Sequence, residues 1–495
     1  PRSTQSRSSA ASDVYKRQVL IIGSGGGQDV LIALLFGARR VTAVEMNPIM
    51  FTIVNDRFGD FSGRLYQRPE VRAVVDEARS FIHHSPERYD LIQGTLVDTF
   101  AASAAGAYAL SENYLYTQEA FADYWDHLKD DGILAMTRWY QDPPTEILRL
   151  TILALAVMQA RGIPHPERHV VVTRQEFRST FLLKKSEFLP SDFVALQQGE
   201  DEGGYEIIYA PNRQSNPLFS ALFANPDQFI QGYTANIQAP TDDKPFFFYF
   251  VKPANNPLGT LMNMLKGNSD PSALVGILFL LLLVLACIFI FLPLIAFADR
   301  SIRHHPGYLS YFASLGLGFA LIEIAMIQKF ILFLGHPIYA ISVVLFSLLL
   351  FGGVGSYLSG HLNKRLSTRA RLLALACLVV MLLTYQAIFP WFTNAFMGLN
   401  TGGRVALTVL ALCPVGLLMG MPFPLGIKRI SESAPALVPW MWGVNGALSV
   451  VGSVMAAILA INYGLSVAFL VGILAYVAAL TTTGIQFVTG QEARS

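Results

Sequence analysis

The chain has 495 residues, 53% hydrophobic and only 14% charged, with a mean hydropathy of +0.42. Soluble domains carry about 25% charged residues, so an ordinary soluble enzyme is excluded. The deficit is uneven. From Ala273 onward there are 11 Lys and Arg against 4 Asp and Glu, a net of +7, and the remainder has 25 against 31, a net of −6. The overall charge of +1 hides this division and gives no reason to expect nucleic-acid binding. The three cysteines, Cys287, Cys377 and Cys413, all lie in apolar runs. The N-terminal half therefore has neither a disulfide framework nor a thiolate zinc site.

Residues 1–18 are Ser-rich, lack periodicity and stop abruptly at an apolar run; they are read as a non-native leader, and the chain as a fragment. Val19–Ile22 is a short β-type run that meets Gly23-Ser24-Gly25-Gly26-Gly27. A helix is predicted over Asp29–Phe36, ending at Gly37, and a second strand over Val41–Val44, ending at Glu45. This is the first half of a doubly wound sheet. The glycines let the backbone turn tightly and approach a ligand, which the N–H groups of the helix N-terminus then face. Gly23, Gly25 and Gly27 are expected to bind a nucleoside. Glu45, 22 residues after Gly23, is placed to accept hydrogen bonds from its ribose. Gln28 replaces the third glycine of the dinucleotide fingerprint, which argues against NAD. S-adenosylmethionine or its decarboxylated form is the expected ligand.

Further strands are predicted at Val71–Val75, ending in Asp76-Glu77, and at Tyr89–Gln93, running toward Thr95 and Asp98. Asp76 and Glu77 are placed to receive the adenine amino group. A helix over Glu119–Leu128 and a turn at Asp130-Asp131-Gly132 precede a strand at Ile133–Thr137. A helix over Thr145–Arg161 and closing strands at His169–Thr173 and Ser179–Leu183 follow. His83-His84 reads as a solvated helix end. His165 and His169 flank a proline and share no helical face, so no metal site is expected. Phe246–Phe250 is expected to be a buried strand or a membrane-interface belt.

The runs VLIIGSGGGQD, VTAVEMNP, VVDEARSFI, YDLIQGTLVD and LYTQEAF resemble the spermidine synthase family of aminopropyltransferases, relatives of the class I methyltransferases. The resemblance covers about Val19–Tyr140. It implies that Glu45 binds the ribose of a 5′-thioadenosine-type ligand and Asp76 its adenine. Two positions depart from the family pattern. Gly26 stands where the family's glycine loop has an Asp, and Thr95 stands at the family's catalytic Asp; the second acid of that D-S-S-D run matches Asp98. Aminopropyl transfer needs a neutral amine, so a carboxylate must take or steer its proton, and a threonine cannot. Asp98 is the candidate substitute; otherwise it is a loop acid capping the next element. Putrescine aminopropyl transfer is therefore expected to be weak. The resemblance begins at the first strand and does not extend to the small β-domain that precedes it in the family.

Apolar runs of spanning length, about 20 residues each, occur at 273–297, 308–334, 337–360, 371–393, 403–426, 440–462 and 465–487. Glu323 in the second run is an intramembrane acid, either a protonation or substrate site or a satisfied structural group. The fifth run, with Pro414, Gly416, Gly420, Pro422 and Pro424, is expected to break. Asn445 in the sixth offers one polar group for an interhelical hydrogen bond. A spermidine-synthase-like domain joined to such a bundle resembles a class of bacterial membrane proteins, which implies residence in the plasma membrane.

The expected organisation is a leader at 1–18, an α/β Rossmann-like domain of class I methyltransferase type at 19–260, a linker at 261–272, an all-α bundle of about seven helices at 273–488 and a tail at 489–495. The expected function is transfer of an aminopropyl or methyl group to a small-molecule amine or other acceptor, at the lipid bilayer. The alternative is a transporter or sensor whose domain only binds a nucleoside or polyamine. Sidedness is contested. Nine Lys and Arg flank the spans opposite the soluble domain, against Lys266, Lys329 and Arg404 on its own side. The positive-inside rule then places the domain outside, where an S-adenosylmethionine enzyme would lack its donor.

Overall fold

The computed structural model describes residues 17–97, 112–213, 216–252, 271–297, 306–362 and 368–488. The chain divides into two compact units, Pro1–Lys252 and Pro253–Ser495.

The first unit is built on an eight-stranded sheet: β1 (Gln18–Ile22), β2 (Arg40–Glu45), β3 (Val71–Val75), β4 (Tyr89–Thr95), β5 (Leu128–Trp139), β6 (Val170–Gln175), β7 (Arg178–Lys184) and β8 (Glu206–Tyr209). The strand order is β3-β2-β1-β4-β5-β7-β6-β8. The first five strands run parallel, and β7, β6 and β8 pair antiparallel. Four helices matter below: α1 (Gln28–Leu35), α2 (Ala78–His84), α3 (Gln118–His127) and α4 (Glu146–Ala160). Val19–Ile22 are buried throughout, as expected of a central parallel strand covered on both faces. Strand order reverses between β1 and β4, which opens a crevice at the carboxyl ends of β1, β2 and β4, where such folds bind ligands.

Three local expectations change. The turn predicted at Asp130-Asp131-Gly132 lies inside β5. Residues 129–132 loop out opposite the single Asp90, because the register passes from Tyr89↔Leu128 to Leu91↔Ile133. Asp90 holds this irregularity, accepting from Lys129 Nζ at 2.8 Å and from the Gln18 N–H at 2.6 Å. The run Phe246–Phe250 is neither strand nor interface belt. Phe246 to Tyr249 are buried in the first unit, and the carbonyls of Phe246, Phe247 and Tyr249 accept from Arg149 of α4. One guanidinium thus replaces the ladder partners that a strand would supply. Of the two histidines read as solvated, His84 is exposed, but His83 is partly withdrawn: its Nδ1 lies 3.0 Å from Asp123 Oδ1 and its side chain is 29% exposed.

Among the described residues of the second unit seven helices are long and apolar enough to cross a membrane, the first of them Val275–Ala296. That first run comprises α5 (Pro271–Ala286), a π-helical turn at Cys287–Phe291 and α6 (Leu292–Phe297). The wide turn accommodates Pro293, which lacks an N–H for the preceding turn, and the run continues rather than folding back. Then come α7 (Pro306–Leu334), α8 (Pro337–Leu362), α9 (Thr368–Phe396), α10 (Thr401–Gly420), α11 (Pro422–Ser433), α12 (Val438–Tyr463) and α13 (Leu465–Val488). The fifth run breaks as expected, at Met421 between α10 and Pro422. Tyr311 of α7 donates to the Pro422 carbonyl at 2.7 Å and fixes that break.

α7 packs against α12 and α13, and α8 against α10. Small residues set these crossings, since in lipid close backbone approach replaces the hydrophobic driving force. A Cβ on Gly355 of α8 would run into the Leu417 carbonyl, and one on Gly420 of α10 into the Gly352 carbonyl. A Cβ on the neighbouring Gly353 would meet nothing. Gly355→Ala and Gly420→Ala should each destabilise the bundle by about 1–3 kcal/mol through overpacking, with Gly353→Ala near neutral. Thermal unfolding in detergent, followed by size-exclusion chromatography, checks this ranking.

Candidate functional site

The crevice at the strand ends is lined first by the glycine loop. The N–H groups of Gly23 and Ser24 both donate to the Val44 carbonyl, at 3.0 and 3.1 Å, which ties the end of β1 to β2. Gly23 has φ +65 and a Cβ there would strike Val97; Gly27 has φ +90 and a Cβ there would strike Leu65. Both conditions demand glycine. Tyr66 locks the loop from below, its hydroxyl donating to the Ser24 and Gly25 carbonyls at 3.0 and 2.7 Å. Burial pushes the Tyr66 hydroxyl up to about 12, so it remains a donor at neutral pH. Gly26 is exposed and a Cβ there would meet nothing, so this departure from the family pattern is not steric in origin.

Glu45 ends β2 beside this loop. Its Oε2 accepts from the Gly25 N–H at 3.0 Å and its Oε1 from the Asn47 N–H at 2.9 Å. A carboxylate is thus fixed at the mouth of the crevice with lone pairs to spare. Asp76 follows β3, and its Oδ1 accepts from the Glu77 N–H at 2.8 Å. Glu77, the other acid expected to receive the ligand, is used differently. Its two oxygens accept from the Arg79 and Ser80 N–H groups at 3.0 and 2.8 Å, so it caps α2. Burial raises its carboxyl above the ordinary range, opposed by those two bonds.

Thr95 closes β4, and its Oγ1 accepts from Gln93 Nε2 at 3.2 Å. The next residue, Leu96, has φ +48, a conformation costly for a side chain of this kind. Asp98 lies outside the described residues. The strand end instead faces Asp29, in the first turn of α1, whose carboxyl neighbours the Thr95 hydroxyl and the Gln93 amide. Burial raises the Asp29 carboxyl, and contact with Thr95 and Gln93 opposes the rise. Sequence reading passed over Asp29, because a first-turn acid is the ordinary complement to a helix dipole.

A second polar cluster braces α2 against the rest of the unit. Arg79 donates from Nε to Asp123 Oδ2 at 2.6 Å, and from Nη1 and Nη2 to the two oxygens of Asp242 at 3.1 Å each. Nη1 also donates to Thr117 Oγ1 at 3.1 Å and to the Tyr114 carbonyl at 3.2 Å. These partners lie 35 to 163 residues away in the chain, so no local pattern announces them.

In the second unit the two embedded candidates part company. Asn445 donates from Nδ2 to the Phe312 carbonyl at 3.1 Å, and Gly316 lies under its backbone. Its amide therefore holds α12 to α7. Glu323 of α7 is partly buried and forms no hydrogen bond or ion pair among the described residues.

No family model matches the chain. It is similar to a polyamine aminopropyltransferase of Korarchaeum cryptofilum (strain OPF8), 23% identical over 117 residues, which are 24% of this chain and 34% of the relative. The chain thus spans about a third of the length of that curated relative. Among solved structures it is similar to a probable spermidine synthase from Corynebacterium glutamicum ATCC 13032, at 19% identity and a TM-score of 0.33, covering 49% of this chain and 76% of the other. It is also similar to a putative S-adenosylmethionine dependent methyltransferase from Listeria monocytogenes, at 18% identity and a TM-score of 0.19, covering 26% and 50%. The fold itself rests on the strand order. By that order the N-terminal unit is a Rossmann-like α/β domain, followed in the same chain, among the described residues, by seven long apolar helices.

Proposed function

We propose that the chain is a membrane-bound transferase whose N-terminal unit binds S-adenosylmethionine or decarboxylated S-adenosylmethionine and passes an aminopropyl or methyl group to an amine. The observation that carries this reading is the Glu45 carboxylate, fixed beside a left-handed glycine loop at the topological switch point of the sheet. Glu45 receives the ribose, the loop the 5′ side of the nucleoside, and Asp76 the adenine. Incubation of the full-length protein with each donor and a diamine tests the reaction by its thioether product. Aminopropyl transfer releases methylthioadenosine and methyl transfer releases S-adenosylhomocysteine. Release of neither, with every amine tried, contradicts the transferase reading.

A second reading has its own supports. Thr95 at the family's catalytic acid, the excess of positive residues opposite the domain and the partly buried Glu323 in α7 favour a sensor or transporter that binds a nucleoside or polyamine without turnover. Labelling at residue 191 separates the two. Ser191 is exposed in the helix Pro190–Gly203, and Ser191→Cys in a variant lacking the three native cysteines gives a single reactive thiol. A transferase in a bacterial plasma membrane requires its domain on the donor's side, so an impermeant maleimide should label only after lysis. Labelling of intact cells supports the second reading.

A further inference from the structure

Arg149 of α4 is 1% exposed, and a guanidinium stays charged in a protein. Buried charges are ordinarily paired, because withdrawing an ion from water is costly. Among the described residues Arg149 meets no carboxylate. Its Nη1 donates to the Phe246 and Phe247 carbonyls and its Nη2 to those of Asn236 and Tyr249. Its Nε is buried and makes no hydrogen bond among the described residues. Glu146, one turn earlier on α4, is held by Arg138 Nε at 2.7 Å. Four carbonyl dipoles spread the charge of Arg149 without cancelling it.

A cavity of about 30 Å³ lies against this guanidinium, and Asn236, Gln238, Lys244, Phe246 and Tyr249 help to line it. It has room for about two water-sized groups. Lys244 brings a second cation to the same space, and none of the lining residues is acidic. Burial, and after it the Arg149 guanidinium, push the Lys244 ammonium down, as two like charges in a confined space must. Arg149 and Asn236 are buried, Lys244 is partly exposed and Gln238 is exposed, so the lining runs from the interior to solvent. A water there would satisfy the Nε–H and leave two positive charges uncompensated. An anion does both.

We propose that this cavity binds a compact monovalent anion, a halide or the carboxylate group of a small acid, between the Arg149 guanidinium and the Lys244 ammonium. Its lining residues include none of the glycine loop, Glu45, Asp76 or Thr95, so the site stands whether or not the unit is a transferase. Once bound, the anion ties the segment 236–249 to α4. That segment also carries Asp242, which pairs with Arg79 of α2. Occupancy therefore stabilises the first unit.

Thermal melts of the full-length protein in detergent test this, at constant ionic strength with chloride, formate or methanesulfonate as the sole anion. Methanesulfonate is too bulky for the cavity and serves as the reference. Chloride or formate should raise Tm saturably, by about 5 °C near saturation. A response to chloride alone assigns a halide, and a response to formate alone assigns a carboxylate. Lys244→Gln should raise the midpoint concentration about tenfold, as expected for loss of one charge-assisted contact. Lys244→Glu places a tethered carboxylate beside Arg149 and should abolish the response. Equal Tm in the three salts overturns the site, and so does an unchanged response in Lys244→Glu. Crystals of the wild type soaked in bromide or in formate give a readout that does not depend on the variants folding. Anion density between Arg149 and Lys244 is expected in at least one of them, and a cavity holding only water in both overturns the assignment.

Discussion

Glu45→Ala should abolish measurable binding of adenosyl ligands to the full-length protein. The carboxylate is held in place by the Gly25 and Asn47 N–H groups, and the ribose hydroxyls would complete its hydrogen bonding. Loss of a charge-assisted pair in a partly buried site costs about 2–4 kcal/mol, or roughly 30- to 1,000-fold in Kd. The substitution also frees the Gly25 N–H, so the loop loses part of its preorganisation. Glu45→Gln keeps an acceptor for Gly25 and should be intermediate. Equal affinity in Glu45→Ala and the wild type would remove the nucleoside site from this crevice.

The second large effect is on stability. Arg79→Ala deletes the centre of the cluster that joins α2, α3 and the turn at Thr241–Lys244. Its guanidinium side chain is 5% exposed, and its removal leaves Asp123 and Asp242 close together without their shared cation. Removing one partner of a buried pair costs about 3–5 kcal/mol. For a unit of this size that lowers Tm by roughly 10 °C. Arg79→Lys should recover little, because a single ammonium cannot meet the two oxygens of Asp242 and the Asp123 carboxylate together. Circular dichroism melts of the three proteins check the order.

The nucleoside half of the site was legible because its signals are local. Four contiguous apolar residues, a run of glycines and an acid at the end of the next strand lie within 27 residues, Val19 to Glu45, and each has a steric or hydrogen-bonding reason visible in the sequence. The seven long helices were legible for a similar reason, since span length and hydropathy are sums over contiguous residues. What escaped depends on distant partners. Arg79 meets Asp242 across 163 residues, and Arg149 gathers the carbonyls of an aromatic segment whose residue types alone suggest a strand. Glu77 stood beside Asp76 and shared its expected role, yet the Arg79 and Ser80 N–H groups in the first turn of α2 claim it. Asp29 sat in plain view at the start of a helix, and only the fold brings it to Thr95.

The central claim is that the crevice at the ends of β1, β2 and β4 binds an adenosyl donor. Isothermal titration of the purified full-length protein with S-adenosylmethionine, decarboxylated S-adenosylmethionine and methylthioadenosine tests it most directly. Saturable one-site binding of at least one of the three, lost in Glu45→Ala, is the predicted result. No heat with any of them, or binding that survives Glu45→Ala unchanged, would contradict it.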